Sequence, residues 1–326
     1  MVEELSLQDY QAALSGAAFY WIPQAGYLRL RGVDRLAFLQ RQTTNDVTLL
    51  SPSHSVLTVL TNPAARILDV LRLIHETDDE IGLITLPGQA GETARFLKSR
   101  IFFKDQVSLV DASPEVIQMD LGGSLLAGLG LPDPPEPGMV IRGEIEGAAV
   151  RVIKQPGFAR MGYRLLAPSA ERESLEAALV RQGSIRLSEA SYHVLRVENG
   201  LPAVEAELTS DYTPLEVGLE AAVSTTKGCY TGQEVIARQL NYDKVTQHLV
   251  LLRLQAPGQT GERLWVDGRP VGLLTTVVHS PRFGPLALAV VKRPYHQPGT
   301  SVIIGGDGKS GGTPAEVAEL PLTTSG

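Results

Sequence analysis

The single cysteine, Cys229, lies in the run Lys227-Gly228-Cys229-Tyr230-Thr231-Gly232-Gln233-Glu234, whose composition suits a reactive turn better than packing. Thr231 and Glu234 have the spacing of a capping box, which predicts a helix beginning near Gly232. Cys229 would then sit just before a helix start, where unpaired N–H groups and the positive dipole end favour a thiolate. Lys227 adds a cation two residues away. Both effects would lower the thiol pKa, so Cys229 and Lys227 read as a reactive pair. The competing reading is a small buried apolar residue, the usual fate of a lone cysteine.

A second segment, Arg196-Val197-Glu198-Asn199-Gly200-Leu201-Pro202, carries the signals of a helix C-terminus at Asn199-Gly200. Glu198 falls in that last turn, where the dipole disfavours negative charge, whereas Arg196 is well placed. A carboxylate can accept two parallel hydrogen bonds from an amidine-like edge. The 2-aminopyrimidinone edge of a pterin offers such donors. The alternative is a solvent-exposed glutamate paired with Arg196 or another arginine. Asp69 ends Arg66-Ile67-Leu68-Asp69 on a candidate strand, and alternation could place it on the face opposite the core. The histidines His54, His75, His193, His248, His279 and His296 show no metal-ligand spacing and read as surface or structural residues. Gly122, Gly123, Gly128 and Gly130 do not follow a strand and open a helix in the order a dinucleotide fingerprint requires.

These residues sit in a chain of 326 residues, long enough for two or three domains. With 32 glycines and 21 prolines the composition points to a turn-rich β or α+β protein. One cysteine excludes an internal disulfide and any multi-cysteine zinc or iron–sulfur site within the chain. The acidic start Met1-Val2-Glu3-Glu4, without a signal-type apolar run or a membrane-length span, reads as cytoplasmic. A net charge of −7 argues against direct nucleic-acid binding.

Periodicity supplies the elements. A strand over 27–32 leads to a helix capped by Asp34, and 56–60 and 67–74 read as antiparallel strands around an Asn62-Pro63 turn. A helix is predicted over 92–103, with Ala94, Leu97 and Ile101 on one side. Pro132, Pro134, Pro135 and Pro137 mark a long loop within 122–138. Strands follow at 148–153 and 163–166, then helices opened by Ser169 and Ser188. Beyond about Gln247, short strands at 249–254, 263–266, 271–278, 286–291 and 301–304 describe a small β-barrel, with 305–326 as a frayed, flexible tail. The expected division is therefore 1–247, made of two interleaved subdomains, then the barrel over 248–304 and the tail.

The residues resemble the folate-binding YgfZ family of tRNA-modification and iron–sulfur repair factors, relatives of the glycine cleavage T-protein, an aminomethyltransferase. The block from Gly32-Val33-Asp34 to Asn45-Asp46-Val47 is similar to that family's first segment, and Arg196 to Pro202 with Pro214-Leu215-Glu216 resembles its pterin-pocket segment. The most specific match is Lys227 to Glu234, followed by Arg238. The resemblance implies an α+β, three-lobed T-protein-like fold ending in a β-barrel. It also implies tetrahydrofolate or a related reduced folate as cofactor, held by Glu198 with Arg196, Arg238, Asp69 and Tyr230, and iron–sulfur client or carrier proteins as partners. Lys227 and Arg238 would serve the anionic glutamyl tail or activate Cys229. Two departures stand out. Asn62-Pro63-Ala64-Ala65-Arg66 replaces the usual glycine-arginine turn, and Val70 follows Asp69 where aminomethyltransferases carry paired aspartates. The missing second carboxylate and the added thiol of Cys229 favour an accessory protein, leaving a folate-dependent transferase or demethylase and a non-catalytic scaffold as alternatives.

Overall fold

In the computed structural model, residues 5–123, 125–158, 160–306, 311–319 and 322 are described. The start Met1 to Glu4 and part of the expected tail lie outside them. A six-stranded sheet has the order Ile185–Arg186, Ala18–Trp21, Val116–Leu121, Arg160–Pro168, Ala148–Gly157, Val140–Ile145. A five-stranded sheet has the order Val56–Thr61, Ile67–Thr77, Glu80–Thr85, Gly26–Arg31, Ser108–Asp111. The chain enters the six-stranded sheet with Ala18–Trp21, builds the whole five-stranded sheet, and returns at Val116, so the two are interleaved. Tyr27, Ile74 and Ile84 from one sheet pack against Val140, Ile153 and Leu166 from the other.

The third lobe is a closed barrel of Gln247–Leu254, Gly284–Lys292, Arg269–Ser280, Arg263–Val266, Ser301–Ile304 and Thr313–Ala318. Its last strand comes from the stretch expected to be a frayed tail. Leu252↔Val317 and Val302↔Ala315 pair there, and Ala315 and Val317 are buried in the barrel core. Closure removes the exposed edge that a five-stranded version would leave. The helix Glu189–Glu198 docks the barrel onto the six-stranded lobe through Val194, Leu195 and Val197, which pack with Tyr10, Leu251 and Val278. Among the described residues no helix is long and apolar enough to cross a membrane.

Two helix expectations change. The third helix covers Ala90–Lys98 and stops before Ile101, leaving Phe102 and Phe103 exposed. Asp34 occupies an N-cap position without a capping bond; its carboxylate accepts instead from the Gln106 N–H at 2.8 Å.

Candidate functional site

The Glu189–Glu198 helix is opened by the Ser188 side chain, which accepts from the Ser191 N–H, and is closed by Asn199 with Gly200 at φ 67°. A left-handed residue at that point is where glycine carries no steric cost. The ending fixes Glu198 against the N-terminal helix and the barrel. Its Oε1 accepts from the Tyr10 hydroxyl at 2.7 Å and the Ser280 hydroxyl at 2.5 Å. Its Oε2 accepts no hydrogen bond among the described residues. Burial raises the Glu198 pKa against those two hydrogen bonds.

Arg196 does not pair with Glu198. It faces Glu207, with Nη1–Oε2 at 3.6 Å, and donates to the Leu201 carbonyl and the Thr276 hydroxyl. Glu207 has no exposed surface and also accepts from the hydroxyls of Thr275 and Thr276, each at 2.6 Å, and from the Ala203 N–H. Sequence reasoning missed both Glu207 and Tyr10. Tyr10 lies 188 residues from Glu198, and Glu207 lies 69 residues from Thr276, separations that no local pattern spans.

Asp69 is fully buried and lies on the same face of its strand as Leu71 and Leu73, towards the core rather than away from it. The helix Ala90–Lys98 covers that face. Asp69 accepts from the Thr93 hydroxyl at 2.5 Å and the Leu86 N–H at 3.0 Å. Burial lifts its pKa to about 7, outweighing these hydrogen bonds. Next to it a cleft of about 370 Å³ opens between Leu60, Leu68, Thr93 and Phe96 on one side and Glu205 and Leu208 on the other. Asp69 and Glu207 thus flank one cleft through their neighbours. Neither Glu198 nor Cys229 lines it.

The cysteine segment sits elsewhere. Cys229 is exposed, which excludes the buried apolar reading. The Lys227 ammonium is buried and donates to the carbonyls of Thr43 at 2.7 Å and Asn45 at 2.6 Å. Burial lowers its pKa to about 8. Tyr230 turns inward to pack with Ala65, Leu215 and Ile236, its ring 5.2 Å from the Lys227 nitrogen, and burial pushes its hydroxyl up to about 12. The next helix does begin beside Gly232, covering Gln233–Asn241, but no side chain caps it. Thr231 offers its carbonyl to the Thr61 hydroxyl at 2.7 Å. Gly232 has φ 85°, and a Cβ there would meet the Asn62 carbonyl at 2.9 Å, so only glycine fits. Glu234 pairs with Arg238 on the exposed helix surface at 2.9 Å, which takes Arg238 away from the cleft. A capping box does form, between Thr213 and Glu216. Glu216 also binds Arg66 at 3.1 Å, tying the loop after Asn62 to the segment below the cysteine turn.

Comparison with known proteins agrees with this architecture. Residues 2–227 match the GCVT N-terminal domain and residues 247–323 the glycine cleavage T-protein C-terminal barrel domain. The chloroplastic protein At1g60990 of Arabidopsis thaliana, provisionally named a transferase, is 30% identical over 289 residues, covering 86% of this chain and 67% of that one. The aminomethyltransferase of Halalkalibacterium halodurans is 24% identical over 311 residues, covering 91% of this chain and 84% of its own. The crystal structure of the glycine cleavage system aminomethyltransferase T from Bartonella henselae superposes with a TM-score of 0.82 at 22% identity, covering 96% of this chain and 88% of that one. The interleaved sheets, the closing barrel and both domain matches place this chain in the glycine cleavage T-protein family.

Proposed function

We propose that the protein binds a reduced folate near the Glu189–Glu198 helix and acts as a YgfZ-type accessory factor for iron–sulfur cluster assembly or repair. The observation that carries the folate reading is the divided Glu198 carboxylate. Tyr10 and Ser280 hold Oε1, which fixes the group, while Oε2 stays free to accept from a ring N–H. A cleft of about 370 Å³ beside Asp69, which Glu198 does not line, is apolar along Leu60, Ile67 and Phe96 with polar groups at Thr93 and Gln89, and falls within the size and character of small-molecule sites. A bound reduced folate would supply one-carbon chemistry at its ring nitrogens.

Two features favour an accessory role over aminomethyl transfer. Asp69 has both oxygens engaged by Thr93 and Leu86, and Val70 follows it in place of a second carboxylate. Cys229 faces solvent on a turn clamped by Lys227 and Gly232. A thiol so placed suits contact with another protein. One thiol cannot hold a cluster alone, so any cluster contact is shared with a second chain. The test has two arms. The purified protein with tetrahydrofolate and an aminomethyl donor is expected to form no methylene-folate, and cells carrying Cys229→Ser in place of the wild type are expected to lose iron–sulfur enzyme activity. Turnover that disappears in Asp69→Asn, together with unaffected Cys229→Ser cells, would favour the transferase alternative.

A further inference from the structure

The apolar contact between the two sheets changes character at one end. Arg72 follows the inward face of its strand two residues before Ile74, pairing with Ile84, and Arg164 lies two residues before Leu166, pairing with Asp120 and Ile153. Both guanidiniums therefore extend the same inter-sheet layer as those apolar residues. Arg164 grips Asp120 with Nε at 2.6 Å and Nη2 at 3.2 Å, and Tyr192 donates to the same carboxylate at 3.0 Å. Arg72 has no carboxylate within ion-pair distance among the described residues. Among the described residues its guanidinium donates to the Ser55 hydroxyl, at 3.1 Å.

The cluster thus holds two guanidiniums against one carboxylate, and Asp120 is already engaged by Arg164. Burial, with Arg164 adding to it, lowers the Arg72 pKa to about 10, against the pull of Asp120. An uncompensated charge in such a place is costly unless a counter-ion completes it. Arg72, Arg164 and Tyr192 are nonetheless only partly buried. Side chains that lie between two sheets and keep some exposed surface can be reached from solvent. Tyr20 stacks on Tyr192 at 3.9 Å between ring centroids, placing an aromatic pair beside the cluster.

We infer that Arg72, with Arg164 and the Tyr20–Tyr192 pair, forms a receptor for the carboxylate end of a small organic ligand. A guanidinium fork matches a carboxylate in two parallel hydrogen bonds, and one monoanion neutralises the cluster. The inference rests on the folate reading only for which molecule carries the carboxylate: the glutamyl tail of a folate or a free small acid. Lys227 and Arg238 do not offer this site, because carbonyls and Glu234 already occupy them. Tyr192 and Glu198 share one helix, six residues or about 9 Å apart along its axis.

The experiment is calorimetric titration of wild type, Arg72→Met and Arg72→Lys with tetrahydrofolate and with 6-methyltetrahydropterin, which lacks the glutamyl tail. Glutarate is followed through the melting temperature, and circular dichroism checks that each variant is folded. The site predicts that tetrahydrofolate affinity falls tenfold or more in Arg72→Met and several-fold in Arg72→Lys, while the pterin binds all three alike. If wild type binds no folate but glutarate raises its melting temperature and not that of Arg72→Met, the receptor stands and the folate reading falls. Folded variants that match wild type with every probe, or a wild type that responds to none, would overturn it.

Discussion

Arg196 and Glu198 spend their charges inside the protein, on Glu207, Thr276, Tyr10 and Ser280, and so join the barrel to the interleaved lobes. Lys227 also spends its charge inside, on the Thr43 and Asn45 carbonyls, yet Cys229 two residues later faces solvent. The first segment is turned towards the interior of the molecule and the second presents a thiol to the outside. Under the proposed function, the first holds a ligand between lobes and the second meets a partner at the surface.

The comparison breaks most visibly at Arg196. In Arg196→Met the buried Glu207 loses its cation, and removing one partner of a buried pair costs roughly 3–5 kcal/mol. Urea unfolding should show that loss, and a change under about 1 kcal/mol would mean that the hydroxyls of Thr275 and Thr276 suffice. Asp69 sharpens the interior side through pH. Its folded pKa of about 7 exceeds the ordinary aspartate value of 3.8, so the folded state binds the extra proton between those values and stability declines as pH rises through that window. From pH 4.5 to 7 the decline amounts to about 3 kcal/mol. Asp69→Asn should lack it, and parallel pH–stability curves for variant and wild type would refute the assignment.

Glu198 comes next. Glu198→Ala strands two hydroxyls, at about 1–3 kcal/mol each, so the variant loses stability as well as ligand. Glu198→Gln keeps an acceptor for Tyr10 and Ser280, and folate affinity should drop about ten- to a hundredfold, worth roughly 1.5–3 kcal/mol. Unchanged affinity by calorimetry would remove Glu198 from the site. The smallest effect belongs to the surface. Cys229→Ala should shift stability by no more than about 0.5 kcal/mol, while wild-type Cys229 alkylates in the folded state. A thiol that reacts only after denaturation would contradict its exposure.

Much of this arrangement is legible in the sequence wherever the cause is local. Ser188 and Asn199-Gly200 bound their helix as read, because caps act within a few residues. The barrel strands follow from alternation, except Thr313–Ala318, where only Ala315 and Val317 point inward and the surrounding small polar residues hide the pattern. Thr231 and Glu234 had the right spacing for a capping box, but Gly232 takes a left-handed conformation and the Thr231 carbonyl is drawn to Thr61. The same spacing at Thr213 and Glu216, with Pro214 in the first helical turn, was the signal to follow. Asp69 facing the core, and the partners of Glu198 and Arg196, depend on contacts made only once the lobes assemble.

Calorimetric titration of tetrahydrofolate into the full-length wild type and Cys229→Ala tests the central claim most directly. The division between an interior ligand site and an outward thiol predicts saturable one-to-one binding of equal affinity in both proteins. Absence of binding to the wild type, or loss of binding with the thiol, would contradict it.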